Sequence, residues 1–384
     1  MLFAHIFILL TVLYCLMILL FLTGLYRNRP AHNPEKLRVS VIIAARNEES
    51  YISHVLNDLL NQNYPQELYD ITVVDDCSTD RTCEIVKSFE QAHDNIRCIR
   101  LENVPEDFSP KKYALEQAVK ESKGDIILTT DADCRLAPDW IRGMVRYFAP
   151  ETAFVIGFSQ LTRPDKTYNL IEHLQSFDFL EMMGAAAGTA NLGYPLAASG
   201  QNMGYRKSVF HKIGGYSRVK HRISGDDVLL LNLIRKYTNH KIAFASHPDT
   251  FVFSHPQPTL AALLNQRIRW ASNGSYQIQL NFLFFIYLLL VYIFNLMLLI
   301  ALPLSLLLPS SIPVTLACLA SRFIFEGALA MKSVKFFNRR DLLPYFSLWF
   351  FAQIPYIIYV GLLGTFGRFK WKERVHSADS GYCP

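Results

Sequence analysis

From Met1 to Tyr26 the chain carries no Asp, Glu, Lys or Arg. A helix of about 20 apolar residues spans the hydrocarbon core of a bilayer, so Leu2–Leu22 is long enough to be a membrane anchor. A cleaved signal peptide would show a basic n-region, a shorter apolar core and a small-residue cleavage site, and none is evident. The first basic residues, Arg27, Arg29, Lys36 and Arg38, hold that flank in the cytosol with the N-terminus outside.

The C-terminal third repeats the pattern. Phe282–Leu308 is apolar, interrupted by Pro303 and followed by Pro309. Ile312–Met331 carries Arg322 and Glu326, four apart on one helical face where they can pair, either as part of a functional path or as a packing device. Leu342–Phe366 is a third candidate span. Lys332, Lys335, Arg339 and Arg340 lie between the last two, and the tail reads Arg368, Lys370, Lys372, Arg374. Three spans after a cytosolic middle leave the tail outside, whereas its charge places it inside. One segment is therefore re-entrant or interfacial, or the charge rule is overridden.

The 384 residues are 51% apolar and 18% charged, against about a quarter charged in ordinary soluble domains, which excludes a disordered chain or a coiled coil. A net charge of +5 without a strong basic cluster gives no footprint for nucleic acid. The seven scattered cysteines form no CxxC pair, so reduced thiols are expected rather than a zinc ribbon or disulfide framework.

Residues 38–270 read as α/β. Val39–Ala44, Ile71–Val74, Ile96–Leu101 and Ile126–Thr130 are strand-like runs. A helix with Asn47 as a plausible N-cap carries Ile52, Val55, Leu56, Leu59 and Leu60 at helical spacing. Lys111–Ser122 is a second clear helix, and Gly124 a turn. This alternation predicts a mostly parallel sheet, whose ligands sit outside the carboxyl ends of the strands. Three strand ends are polar there: Arg46-Asn47-Glu48, Asp75-Asp76 and Asp131-Ala132-Asp133. No glycine-rich phosphate loop accompanies them.

Each motif admits two readings. Asp131 and Asp133 suit Mg²⁺ or Mn²⁺, or form a solvated acidic turn. Asp75 or Asp76 can accept from a base N–H, or cap the next helix; Ser78 and Asp80 are also cap candidates. Lys111 and Lys112 can meet a diphosphate, or lie on a solvated helical face. Asp226 and Asp227, after Gly225, can supply a general base or an N-cap. In Gln266-Arg267-Ile268-Arg269-Trp270, arginines suit diphosphate, while Arg and Trp also anchor at membrane interfaces. Leu260, Leu263 and Leu264 suggest an amphipathic helix on the bilayer surface.

Taken in order, Val39–Glu48, Val73–Asp80, Asp131-Ala132-Asp133, Gly225-Asp226-Asp227 and Gln266–Trp270 resemble the membrane-bound branch of the family 2 glycosyltransferases, which includes cellulose, chitin and hyaluronan synthases and ceramide glucosyltransferase. Gly200–Lys207 with Gly214-Gly215-Tyr216 resembles the acceptor-side segment of that family. The resemblance covers about residues 38–275. It implies a GT-A fold and inversion at the anomeric carbon. It places Ala44, Asn47, Glu48, Asp75 and Asp76 at the nucleotide, Asp131 at the nucleotide-sugar, Asp133 on the metal, and Asp227 as general base. Gln266, Arg269 and Trp270 would hold the diphosphate and the acceptor end, with Arg267 a further candidate for the diphosphate. Gln201 and Asn202, near Gly157, are candidates for setting the sugar. The family's acidic pair is usually Glu-Asp, so Asp226 leaves the choice of base open. Pro110 stands where Gly is common, which leaves open which lysine acts.

The expected organisation is an anchor (1–26), a cytosolic GT-A domain (38–255), an interfacial segment (256–275), a membrane block (280–366) and a basic tail (367–384). The expected function is transfer of a sugar, with UDP the carrier implied by the family, to a lipid or glycan hydroxyl by a multi-pass membrane protein. A processive polysaccharide synthase, a polyprenyl-phosphate glycosyltransferase and a non-catalytic scaffold are the alternatives; about four spans are few for a polymer channel, which favours addition of one sugar.

Overall fold

The computed structural model describes residues 2–28, 33–162, 168–371 and 374–377. Arg29, Lys372 and the end of the tail from 378 lie outside these. The chain opens with α1 (Leu2–Tyr26), then β1 (Val39–Ala45), α2 (Ile52–Leu60), β2 (Tyr69–Asp75), α3 (Thr82–Ala92), β3 (Ile96–Arg100), α4 (Pro110–Glu121) and β4 (Ile126–Thr129). It continues through β5 (Arg135–Leu136), α5 (Trp140–Val145), β6 (Thr152–Gly157), β7 (Ser159–Leu161), α6 (Leu170–Asn191), β8 (Met203–Arg206), α7 (Lys207–Lys212), α8 (Val228–Tyr237), β9 (Lys241–Ala245) and β10 (Val252–Ser254). The last part holds α9 (Leu260–Ala271), α10 (Gln277–Leu280), α11 (Phe282–Leu307), α12 (Ile312–Phe336), α13 (Phe346–Phe366) and the hairpin β11 (Arg368–Trp371)–β12 (Arg374–Ser377).

The central sheet runs β3-β2-β1-β4-β8-β6-β9. Its pairs are parallel except those of β8, which runs antiparallel to β4 and β6. Successive strand side chains point to opposite faces, and this divides the interior. Val41 and Ile43 of β1, with Ile71, Val73, Ile126 and Leu128, pack beneath α2, α3 and α5. Ile42, Val74, Ile127, Phe154 and Ile156 face the other way, into a core shared with α4, α6, α8 and the apolar helices of both chain ends. That strand period thus makes one face of the sheet continuous with the helical block.

Among the described residues four helical segments, Leu2–Tyr26, Phe282–Leu307, Pro309–Phe336 and Arg340–Phe366, are long and apolar enough to cross a membrane. The close crossing of α1 and α6 requires glycine on both sides: a Cβ on Gly24 would stand 1.9 Å from Gly188 O. Arg322 and Glu326 do pair, with Arg322 Nε donating to Glu326 Oε1 at 2.8 Å. Tyr14 of α1 and Gln353 of α13 also donate to the Glu326 carboxylate. This cluster ties three helices together.

Both ends of α13 lie against elements of the α/β domain. Tyr345, just before it, stacks on His173 of α6 with ring centroids 4.2 Å apart, and Leu363 near its end packs with Ile268 of α9 and Phe369 of β11. Asn265 of α9 donates to Lys370 O (2.6 Å) and accepts from Lys370 N (2.8 Å), so the hairpin sits on α9. α9 itself is docked rather than free: Leu263 and Ile268 are buried, and Leu260 is exposed.

Candidate active site

A cavity of about 1210 Å³ opens at the carboxyl ends of β1, β2 and β4 and runs on between α6, α9 and the helical block. Ala44, Glu48, Asp76, Asp131 and Asp133 line its sheet side. The loops after β1 and β2 are laced together there. Asn47 holds φ at 54°, a left-handed conformation that Asn tolerates better than most residues. It accepts from Thr79 N at 2.9 Å and donates its own N–H to Ser78 Oγ at 3.0 Å. Glu48 N donates to Thr82 Oγ1 at 2.8 Å and Glu49 N to Asp80 Oδ2 at 3.1 Å.

Two expectations are corrected by this lacing. α2 begins at Ile52, so Asn47 is not its cap, and Asn47 does not line the cavity; it braces the turn that presents Glu48. Asp75 is fully buried away from the cavity, accepting from Ser78 N at 3.3 Å with Arg100 Nε 3.8 Å away. Its neighbour Asp76 does face the cavity, 3.8 Å from the Arg46 guanidinium. Asp80, accepting from Thr82 N and Oγ1, acts at the start of α3 as a capping residue would.

The two adjacent lysines separate. Lys111 Nζ stands 2.9 Å from Asp131 Oδ1 and 3.1 Å from Asp226 Oδ2. Burial opposes its charge, but these two carboxylates outweigh burial and raise its pKa. Lys112 lies about 100° further round the helix. It is fully buried and donates to the carbonyls of Arg222 and Ser224. Burial pulls its pKa down to about 7, despite Asp226 and Asp227 nearby. Lys112 therefore tethers the loop before Gly225 and does not reach the cavity, contrary to the expectation that either lysine could meet a diphosphate.

Asp133 is pushed up to about 7, first by burial and then by Asp131 and Glu48. Carboxylates gathered without enough positive charge are what a dication relieves. Among the described residues no three His, Cys, Asp or Glu side chains converge as a closed metal site. The fit is therefore to a hard cation that takes Asp131, Asp133 and non-protein oxygens, as Mg²⁺ and Mn²⁺ do.

Gly225 has φ of +82°, a conformation costly for any residue with a Cβ, and the bend turns both following carboxylates into the cavity. Burial would raise Asp226, but Lys111 and Lys112 hold it below the usual range. Asp227 Oδ1 accepts from Val228 N at 2.6 Å and Oδ2 from Gly200 N at 2.8 Å. It caps α8 and faces the cavity as well. Burial, then Asp226, lift its pKa to about 6. Tyr216 fixes the backbone here by donating to Asp226 O at 3.1 Å.

Gln201 lines the cavity and donates to Ser254 Oγ at 2.7 Å. Asn202 does not line it: fully buried, it accepts from Trp140 Nε1 at 3.0 Å and donates to the carbonyls of Phe158 and Thr250, both at 2.8 Å. With its amide committed to the core, it has no part left for substrate. On α9, Gln266, Arg267, Arg269 and Trp270 all face the cavity. Arg267 Nη2 lies 2.8 Å from Asp178 Oδ2, and its guanidinium is 4.2 Å from the Trp270 ring centre.

Sequence reasoning missed α6, which brings Asp178 and Glu181 to the cavity. The signals were there: a capping box formed by Asn169 and Glu172, and two carboxylates, Asp178 and Glu181, three apart in the otherwise apolar run Phe177–Met183.

Residues 40–214 match the family described as Glycosyl transferase family 2. The chain carries a family 2 glycosyltransferase domain. Curated relatives include "Probable glycosyltransferase YdaM" of Bacillus subtilis, 28% identical over 63% of this chain and 56% of the relative. The β-monoglucosyldiacylglycerol synthase of a Nostoc species is 26% identical over 67% of this chain and 54% of the relative. The chain thus spans about half the length of these two relatives. Among solved structures, the mannosyltransferase PcManGT from Pyrobaculum calidifontis, in complex with GDP-Man and Mn²⁺, superposes with a TM-score of 0.61 at 20% identity, covering 94% of this chain and 98% of that one. That likeness shows the fold, so the expected GT-A architecture is borne out.

Proposed function

We propose that this protein transfers a sugar, with inversion, from a nucleotide diphosphate donor to the hydroxyl of a membrane lipid. The observation that carries the proposal is one cavity faced by Asp131, Asp133, Lys111, Asp227 and Arg269 at one end and by the apolar helices at the other. The relative named for diacylglycerol glucosylation supports a lipid acceptor. Asp76 and Glu48 would meet the nucleoside, with UDP the proposed carrier, and Gln201 the sugar.

Asp131 and Asp133 would hold Mg²⁺ or Mn²⁺ with the diphosphate, and that ion would neutralise the charge of the departing group. Arg269 supplies further positive charge for the diphosphate. Asp227, the carboxylate without a lysine against it, accepts the acceptor's proton as its oxygen bonds to the anomeric carbon and the bond to diphosphate breaks. Lys111 keeps Asp226 charged and paired, which leaves the proton transfer to Asp227.

The same reading orients the molecule. α1, α11 and α12 cross the bilayer, and α13 lies along the domain without crossing, which puts the basic hairpin and the catalytic domain together on the cytosolic face. Arg27, Lys335 and Arg368 then all sit inside, in accord with the charge rule.

The test is release of nucleoside diphosphate by purified protein in native lipid extract, screened over UDP- and GDP-sugars with Mn²⁺ or Mg²⁺. Metal-dependent release that Asp227→Asn abolishes is the expected result. No release with any donor, from folded protein, refutes the proposal.

A further inference from the structure

Lys111 joins two carboxylates that the transferase reading gives different tasks. Its Nζ donates to Asp131 Oδ1 at 2.9 Å and stands 3.1 Å from Asp226 Oδ2. The second partner is the more buried of the two: the Asp226 side chain is 12% exposed and that of Asp131 30%. Lys111 extends from the first turn of α4, just after Pro110, so its ammonium rides on a long flexible stem and not on fixed backbone. It faces the cavity together with Asp131 and Asp133. The ammonium therefore sits on one of the two carboxylates that suit a hard cation.

Resting on the transferase reading, we propose that Lys111 is a built-in counter-ion that competes with the divalent metal for Asp131, so that metal loads together with the nucleoside diphosphate and not before it. An ammonium at hydrogen-bond distance takes a carboxylate lone pair that a cation would use, and the two positive charges repel across a few ångströms. With Lys111 on Asp131, the protein offers little to a hard cation that takes about six oxygens. A diphosphate changes both sides of this balance. Its oxygens supply further ligands, and its charge gives the ammonium another anion to meet, so Lys111 gives up Asp131. Asp226, the more buried partner, remains its tether and stays paired, as the assignment of Asp227 as base requires. Lys112 cannot take over the exchange, because its ammonium is committed to the carbonyls of Arg222 and Ser224. Lys111 is thus a residue that sets the order of loading, and it does so through a contact made before any substrate is present.

The test is Mn²⁺ binding to the full-length protein in phosphatidylcholine nanodiscs, read from the electron paramagnetic resonance signal of free Mn²⁺. It is run with and without UDP or GDP, and corrected with empty discs for Mn²⁺ held by the nucleotide itself. The site is defined as the binding that Asp133→Asn abolishes. Native protein is expected to bind Mn²⁺ weakly alone and more tightly with the diphosphate that fits. Lys111→Met is expected to bind Mn²⁺ alone about tenfold more tightly than native protein, the order of one like-charge contact removed, and to gain less from the diphosphate. Lys111→Met combined with Asp226→Asn strands no carboxylate and removes one charge of each sign. It is still expected to bind Mn²⁺ alone more tightly than native protein, because Asp131 is free in it. Binding no tighter than native in either folded variant overturns the inference and leaves the transferase reading intact. Tighter binding in the single variant only traces the effect to net charge and overturns the competition for Asp131. Native protein that binds a diphosphate with no gain in Mn²⁺ affinity overturns the joint loading. No binding of UDP or GDP and no cleavage of any donor overturns the transferase reading, while the comparison without nucleotide still decides what Lys111 does to the metal site.

Discussion

Lys111→Met removes the ammonium that stands 2.9 Å from Asp131 and 3.1 Å from Asp226. The three side chains are 23%, 30% and 12% exposed, so the two pairs are unequal. Deleting one partner of a buried pair costs about 3–5 kcal/mol, whereas a pair as accessible as the one with Asp131 contributes under about 1 kcal/mol. Lys112 also lowers the Asp226 pKa and stays in place, which favours the lower end, about 3 kcal/mol. At roughly 2–4 °C per kcal/mol for a domain of this size, Tm falls by roughly 6–12 °C. The pH dependence identifies the cause. In the native protein Asp226 is held below the usual carboxylate range, so its contribution is present above about pH 4 and is lost as pH falls through the lower folded value. In the variant the unpaired carboxylate protonates at a higher pH than usual, so the deficit shrinks below about pH 5. Adding Asp226→Asn removes the stranded charge and restores part of the loss. The assay is thermal unfolding in detergent by intrinsic fluorescence, with ligand-free protein. A Tm unchanged near neutral pH, or a deficit as large at about pH 4.5 as at about pH 7.5, refutes the reasoning.

Asp227→Asn is expected to lower kcat by about 10²- to 10⁴-fold with little change in KM for the donor, measured by coupled nucleoside diphosphate release. Because burial and Asp226 lift Asp227 of the free protein to about 6, and the base must be ionised, native kcat/KM is expected to fall tenfold per unit below that pH; an acid limb near the ordinary Asp value of about 3.9 would contradict the assignment. Asn202→Ala strips an amide that makes three buried hydrogen bonds and is expected to cost about 2–4 kcal/mol of stability while KM for the donor holds; a raised KM at unchanged Tm would return Asn202 to the binding site. Arg368→Cys, in a background without native cysteines, is expected to react with an impermeant maleimide only after the membrane is opened, as Glu67→Cys in the domain would; labelling from the outer face would mean that α13 crosses.

Local periodicity, and chemistry carried on short segments, were legible in the sequence. Val41, Ile43 and Leu128 announced strands because a buried strand reads as a near-continuous apolar run. Asp131, Asp133 and Asp227 could be singled out because each lies beside an apolar run that places it at an element's end. The separation of residues that touch ligand from neighbours that hold the frame was not legible. Asn47, Asp75, Lys112 and Asn202 lie one or two positions from cavity-lining residues, in segments indistinguishable by composition. Lys111 and Lys112 differ by about 100° of helix, and only the position of the loop at Arg222–Ser224, over a hundred residues away, decides which one is buried. Asp75 and Asp76 are divided in the same way by the pleat of β2. α6 was missed for a different reason. Its faces meet the sheet, α1 and α12 together, so no polar stripe marks it as amphipathic, and its two carboxylates acquire meaning only once α9 and α13 have closed around them. The topology shows the converse. Counting spans and counting basic residues gave incompatible answers, because hydropathy reports that α13 is apolar and says nothing about what it packs against. Tyr345 on His173 at one end and Leu363 on Ile268 at the other show what α13 packs against, and under the topology proposed above, in which α13 does not cross, the charges of the tail and the number of crossings would agree.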